Sequence, residues 1–230
     1  MNVMPAAGGT PMRVNTPTRV NRSALDALED LGRERLSRHF FMRDMLHSET
    51  AMITGVANVP LDPELALHAG RKLCTLVLDP LVETFGPIAI RSAYRNRLVN
   101  DLAGTAARAK QSDNARAHHI WDERDANGHA GATACIVIPW FADRYAKGRD
   151  WRDLGWWLHD RTEEELPFAH VRIFPKLAAM SIGWHETLGR RIVGPPNGHG
   201  LVAKGEAPEA PEARRRRYED FPHFRGLRLP

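Results

Sequence analysis

A chain of 230 residues with 43% hydrophobic and 26% charged side chains is long enough to bury one sizeable core with arms beside it. Its apolar runs are far short of a bilayer span, and MNVMPAAGGTPMRVNTPTRVNR has no apolar stretch behind a basic end, so neither a transmembrane helix nor a secretory leader is expected. The net charge of +4 lies at the ends: residues 1–22 carry +3 and residues 201–230 carry +2, leaving residues 23–200 near −1 and giving a duplex-binding domain little support. Cys74 and Cys135 form neither a disulfide framework nor a CxxC zinc knuckle, so a reducing compartment is expected. The protein should be cytoplasmic as synthesised, or associated with a virion or similar assembly.

In chain order, residues 1–22 are rich in Pro, Gly, Thr and Asn without a period and read as a disordered arm. Ser23 can cap a helix over ALDALEDLGRERL, and Asp44 lies on a second short helix ending near Ser48. Asp62 caps a helix with Pro63 at its first position, reaching about Phe85 and bent or interrupted at Asp79-Pro80. Ile88 to Arg91 is β-prone and should deliver Ser92 to Arg95 at the end of a strand. Asp101 to Ala117 reads as a loop with one helical turn. His119 to Arg124 and Thr133 to Ile138 read as two strands of a hairpin turning through Asn127-Gly128. Asp150 caps a helix through Asp160, and Val171 to Phe174 and Ala179 to Trp184 are later strand candidates.

The expected organisation is an arm over 1–22, a domain over 23–194 and an extended or disordered tail over 195–230. The Arg214 to Arg217 run, flanked by Glu206, Glu209, Glu212, Glu219 and Asp220, reads as a solvated or partner-docking feature of that tail. The mixture of helices and strands argues an α+β fold. Trp151, Trp156, Trp157 and Trp184 could stack sugars, but aromatic residues at this spacing more often form core. His170, Arg172 and Lys176 could meet an anion, with a half-exposed strand as the simpler account.

A catalytic zinc takes three His, Asp or Glu ligands and keeps one position open. His118, Asp125 and His185 could supply that set, although His118 and Asp125 change faces of an extended strand, leaving His119 and Asp122 as rivals. An acidic proton acceptor is missing at Ile182, Gly183 and Trp184, immediately before His185. Glu186 is the nearest candidate, on the opposite face of a regular strand.

The order LSRHFFMRDMLHSETA, then GPIAIRSAYRN, then His118 followed by Asp125 resembles the zinc D-Ala-D-Ala carboxypeptidase and phage endolysin family, which shares its fold with the hedgehog signalling domain. The likeness covers roughly residues 36–190, with Ala93 where the family has glycine. It implies a small antiparallel sheet with packed helices and a zinc metallopeptidase, either carboxypeptidase or endopeptidase, acting on peptidoglycan stem peptides near a D-amino acid. It places carboxylate or oxyanion binding on Arg95, supported by Ser92, and zinc on His118, Asp125 and His185, with Glu186 as catalytic base. An alternative alignment of Gly131 to Ile136 puts Cys135 in the aspartate position, and His129 one residue from the histidine position. A second expectation is a noncatalytic descendant of the fold serving as a structural or binding component, whose tails dock an assembly partner.

Overall fold

The structure is a computed structural model that describes residues 22–106, 119–202 and 205–226. It is a mixed α+β fold with helices packed against a six-stranded, mostly antiparallel sheet. Helices α1 (Arg22–Arg33), α2 (Met42–Leu46) and α3 (Glu49–Thr54) lead in. The last begins at Ser48, whose hydroxyl accepts the Ala51 N–H.

The long helical segment is dictated locally. Asp62 accepts the Leu65 N–H at 3.0 Å, Pro63 fills a position that needs no donor, and α4 runs Pro63–Leu73. Ala66, Ala69, Gly70 and Leu73 face inward at helical spacing. The bend expected at Pro80 appears as a π-helical turn, Cys74–Leu78, leading into α5 (Asp79–Phe85). Proline lacks an N–H and its ring crowds the carbonyl four residues earlier, so a widened turn resolves the conflict without ending the helix.

Strand β1 (Ala89–Ser92) delivers Ala93 to Arg95 into a loop, followed by α6 (Arg97–Ala106). Residues 101–106 of that helix open the stretch read as a loop from the sequence; residues 107–117 of that stretch lie outside the described residues. The expected hairpin is absent. His119 to Arg124 forms turns, and β2 (Gly131–Val137) pairs instead with β1 and with the distant β4 (Met180–His185). After α7 (Pro139–Ala146) and α8 (Trp151–His159) come β3 (His170–Ile173), β4, β5 (Arg191–Gly194) and β6 (His199–Gly200). The sheet order is β1-β2-β4-β3-β5-β6, with β3 and β5 parallel and the other pairs antiparallel.

Strand alternation divides the sheet chemically. Ala132, Ala134, Ile136, Val171, Ile173, Met180, Ile182 and Trp184 turn into the core beneath the helices. Gly131, Thr133, Cys135, Ser181, Gly183, His185, His170 and Arg172 occupy the other face in register. The tryptophans settle as core: Trp151, Trp156, Trp157 and Trp184 are 4%, 2%, 2% and 7% exposed.

Packing continues past residue 194, where the sequence suggested a free tail. Leu201 lies against Gly155, and α9 (Pro211–Arg217) docks on α8. Arg214 meets Asp160 at 2.8 Å, Arg217 meets Asp153 at 2.9 Å and Asp150 at 3.1 Å, and Arg149 meets Asp220 at 2.7 Å. Phe221, 7% exposed, enters a cluster with Phe85, Trp140, Phe141 and Trp157. The arm over residues 1–21 lies outside the described residues. Among the described residues, no helix is long and apolar enough to cross a membrane.

Candidate functional site

The polar sheet face carries the candidate chemistry in two clusters. The first lies where β4 ends. His185, 6% exposed, has Nε2 at 3.4 Å from Asp125 Oδ2, although sixty positions separate them in the chain. Asp125 is held by its own turn: Oδ1 accepts the N–H groups of Asn127 at 2.8 Å and His129 at 2.9 Å. This is the backbone-mimicking turn that aspartate forms readily, and it leaves Oδ2 facing His185. The His129 N–H bond foremost, then the Asn127 N–H and the nearby His129 and His185 rings, outweigh desolvation and hold the carboxyl below its ordinary range.

The His185 ring is fixed from its other side. Nδ1 lies 2.6 Å from Thr187 Oγ1 and 3.1 Å from both the Thr187 carbonyl oxygen and its backbone nitrogen. Thr187 can therefore donate to Nδ1 or accept from it, according to tautomer. His129 stands edge-on to His185, with ring centroids 5.7 Å apart, but its Nδ1 approaches Asp125 Oδ1 at 3.5 Å, the oxygen already engaged by the turn.

The second cluster lies further along the sheet. Arg95 Nε donates to Ser92 Oγ at 3.0 Å, and its backbone N–H donates to the His119 carbonyl at 2.8 Å. Asn58 locks this loop, donating to the carbonyls of Leu46 and Tyr94 and accepting from the Asn96 N–H. Burial lowers the pKa of Arg95, and no described carboxylate forms an ion pair with it. The guanidinium is thus partly desolvated and available to an anion. Cys135 lies in the same cluster: burial pushes its thiol up, opposed by Arg91, Ser181 and Arg95.

The geometry separates the sequence alternatives. His119 Nδ1 lies 2.8 Å from the Ala93 carbonyl, and Asp122 Oδ2 accepts the Leu61 N–H at 2.7 Å, so both buried side chains tie loops together. Cys135 pairs with Ser181, four residues along β2 from the Gly131 that faces His185. At about 3.3 Å per residue, that is roughly 13 Å from the histidine. Glu186 Oε2 accepts the Ala130 N–H at 2.9 Å and lies 3.7 Å from Arg124 Nη1, so the expected base is committed to holding the β2 entrance. His118 lies outside the described residues.

Two residues gain importance beyond their sequence signal. Thr187 orients His185. His170, opposite Gly183 on β3, lays its ring across that glycine, with Nε2 3.4 Å from Thr133 Oγ1. Burial, with His185 nearby, pulls its pKa down to about 4.

The Asp125 and His185 pair can be tested against zinc. Tetrahedral bonds of about 2.0–2.1 Å place two ligand atoms roughly 3.3 Å apart, close to the observed 3.4 Å. The same separation exceeds an ordinary N–H···O hydrogen bond. The spacing fits adjacent corners of a zinc site, but the Thr187 N–H donates to Nδ1 at 3.1 Å, so zinc on Nε2 would require the other tautomer, with Nδ1–H donating to Thr187 Oγ1 or its carbonyl. Among the described residues, no group of three His, Cys, Asp or Glu side chains is disposed to hold a metal.

No family model matches the chain, and neither a curated protein nor a solved structure matches it.

Proposed function

We propose that this protein is a zinc-dependent peptidase-like protein with the hedgehog and D-Ala-D-Ala peptidase fold, acting on peptidoglycan stem peptides by amide hydrolysis near a D-amino acid. The observation that carries the reading is the convergence of Asp125 Oδ2 and His185 Nε2 at 3.4 Å, the edge length of a zinc tetrahedron. Asp125 and His185 would hold the ion, with His118 as the third ligand. Zinc there would supply Lewis acidity, activating water and polarising the scissile carbonyl. Arg95, braced through its Nε by Ser92, would receive the substrate carboxylate or the oxyanion. Thr187 would fix the His185 tautomer, a role often filled by groups behind a metal-binding imidazole.

The test is release of a free D-amino acid from a D-Ala-D-Ala-ended stem peptide by the full chain supplied with zinc. Activity should disappear in Asp125→Ala and His185→Ala. One observation favours a second reading, a noncatalytic binding or structural component: Glu186 is engaged by Ala130 and Arg124. Zinc bound without peptide cleavage would select that reading.

A further inference from the structure

Strand β1 carries an irregularity that changes which side chains share a face. Ile90 opposes Ile136 and Ser92 opposes Cys135, so Arg91 is an extra residue in a β-bulge. Ile90 packs on the core with Ile136. In a regular strand Arg91 would then take the polar face and Ser92 the core face. The bulge turns Ser92 outward as well, opposite Cys135, and Ser92 Oγ receives Arg95 Nε at 3.0 Å. Arg91 and Arg95 are thus brought to one place. Their charges are felt there: burial raises the pKa of the Cys135 thiol, Arg91 and then Arg95 pull it down, and Glu49 opposes them more weakly.

The two arginines differ from those around α8 and α9, where Arg149, Arg152, Arg214 and Arg217 all meet carboxylates. Among the described residues neither Arg91 nor Arg95 forms an ion pair. Cys135 is in register with Ser181 on β4, so the floor beside them is made of short side chains, two of them hydroxyls. Two guanidinium groups on one partly desolvated face repel each other, and an anion between them relieves that cost.

We infer that Arg91, Arg95, Ser92 and Ser181 form a binding site for a dianionic oxyanion, either a phosphoryl group or two neighbouring carboxylates on one small molecule. In the peptidase reading Arg95 alone meets a single carboxylate. Arg91 beside it makes the site doubly positive, and this row lies roughly 13 Å from His185, so binding here needs no metal.

Calorimetric titration of the metal-free full chain at pH 8 tests the site, with inorganic phosphate, malonate and acetate as probes. Phosphate or malonate should bind once per chain, and the tighter of the two identifies the source of the charge. Acetate should bind at least about tenfold more weakly. Arg91→Gln and Arg95→Gln should each weaken the dianion at least about tenfold, the worth of one charge-assisted hydrogen bond. Arg152→Gln removes the same net charge from α8 and should keep the parental affinity. Arg91 is exposed, so its variant keeps the fold and is decisive. No dianion binding by the parent, acetate as tight as the dianions, or parental affinity in Arg91→Gln would overturn the site while leaving the peptidase reading standing. A zinc-loaded parent that cleaves no stem peptide would overturn that reading and leave this site standing.

Discussion

The two oxygens of Asp125 do different work. Oδ1 closes the turn to His129, while Oδ2 faces His185, so one carboxylate both shapes the loop and presents a donor atom. Because its folded pKa is depressed, the stabilisation it gives is present above the ordinary carboxylate range and is lost as pH falls through its folded value. His170 acts over a different window. Its folded pKa, about 4, lies below the 6.5 of the unfolded chain, so the unfolded state binds the proton first. Stability should be full above pH 6.5 and should decline toward pH 4, by ~3 kcal/mol at most. Urea denaturation at pH 7 and pH 5 should show this slope in the parent and a weaker one in His170→Ala. Equal slopes would mean that the ring is not desolvated.

At the scale of elements, tight approaches and buried pairs determine the cost of change. Gly70 lets α4 meet the Trp121 ring, since a Cβ there would lie 2.9 Å from Cζ3 and 3.3 Å from Leu36 Cδ2. Gly70→Ala should therefore destabilise by about 1–3 kcal/mol despite alanine's better helix propensity. Asp160 joins α8 to α9. Burial alone would raise its pKa, but bonds from Arg214, Tyr218 and His159 prevail and hold it low. Asp160→Ala leaves the nearly buried Arg214 without its carboxylate and should cost about 3 kcal/mol in chemical denaturation. The loss should shrink at acid pH, where the parental carboxylate is itself protonated. Caps such as Asp62 and Asp150 were legible because a helix start is written within four residues. The hairpin expected over 119–138 failed for the converse reason: β2 finds its partner β4 about fifty residues away, which local alternation does not encode.

In the whole molecule, the C-terminal segment completes the core. The arginines of α9 resemble a solvated run in sequence because Asp150, Asp153 and Asp160, their partners, lie on a remote element. Phe221→Ala should cost about 3–5 kcal/mol, and a chain ending at residue 202 should lose at least that much. An unchanged Tm after that truncation would show that the segment does not hold the fold together. The site was similarly legible only in part. Short motifs mark Arg95 and His185 in the sequence, whereas the place of His170 depends on which strand lies beside Gly183. The proposed function requires Asp125 and His185 to share a metal ion. Anomalous diffraction at the zinc edge from crystals of the full chain grown with zinc tests it most directly. One peak is expected within bonding distance of both Asp125 Oδ2 and His185 Nε2; a peak elsewhere, or none between them, would contradict a shared ion.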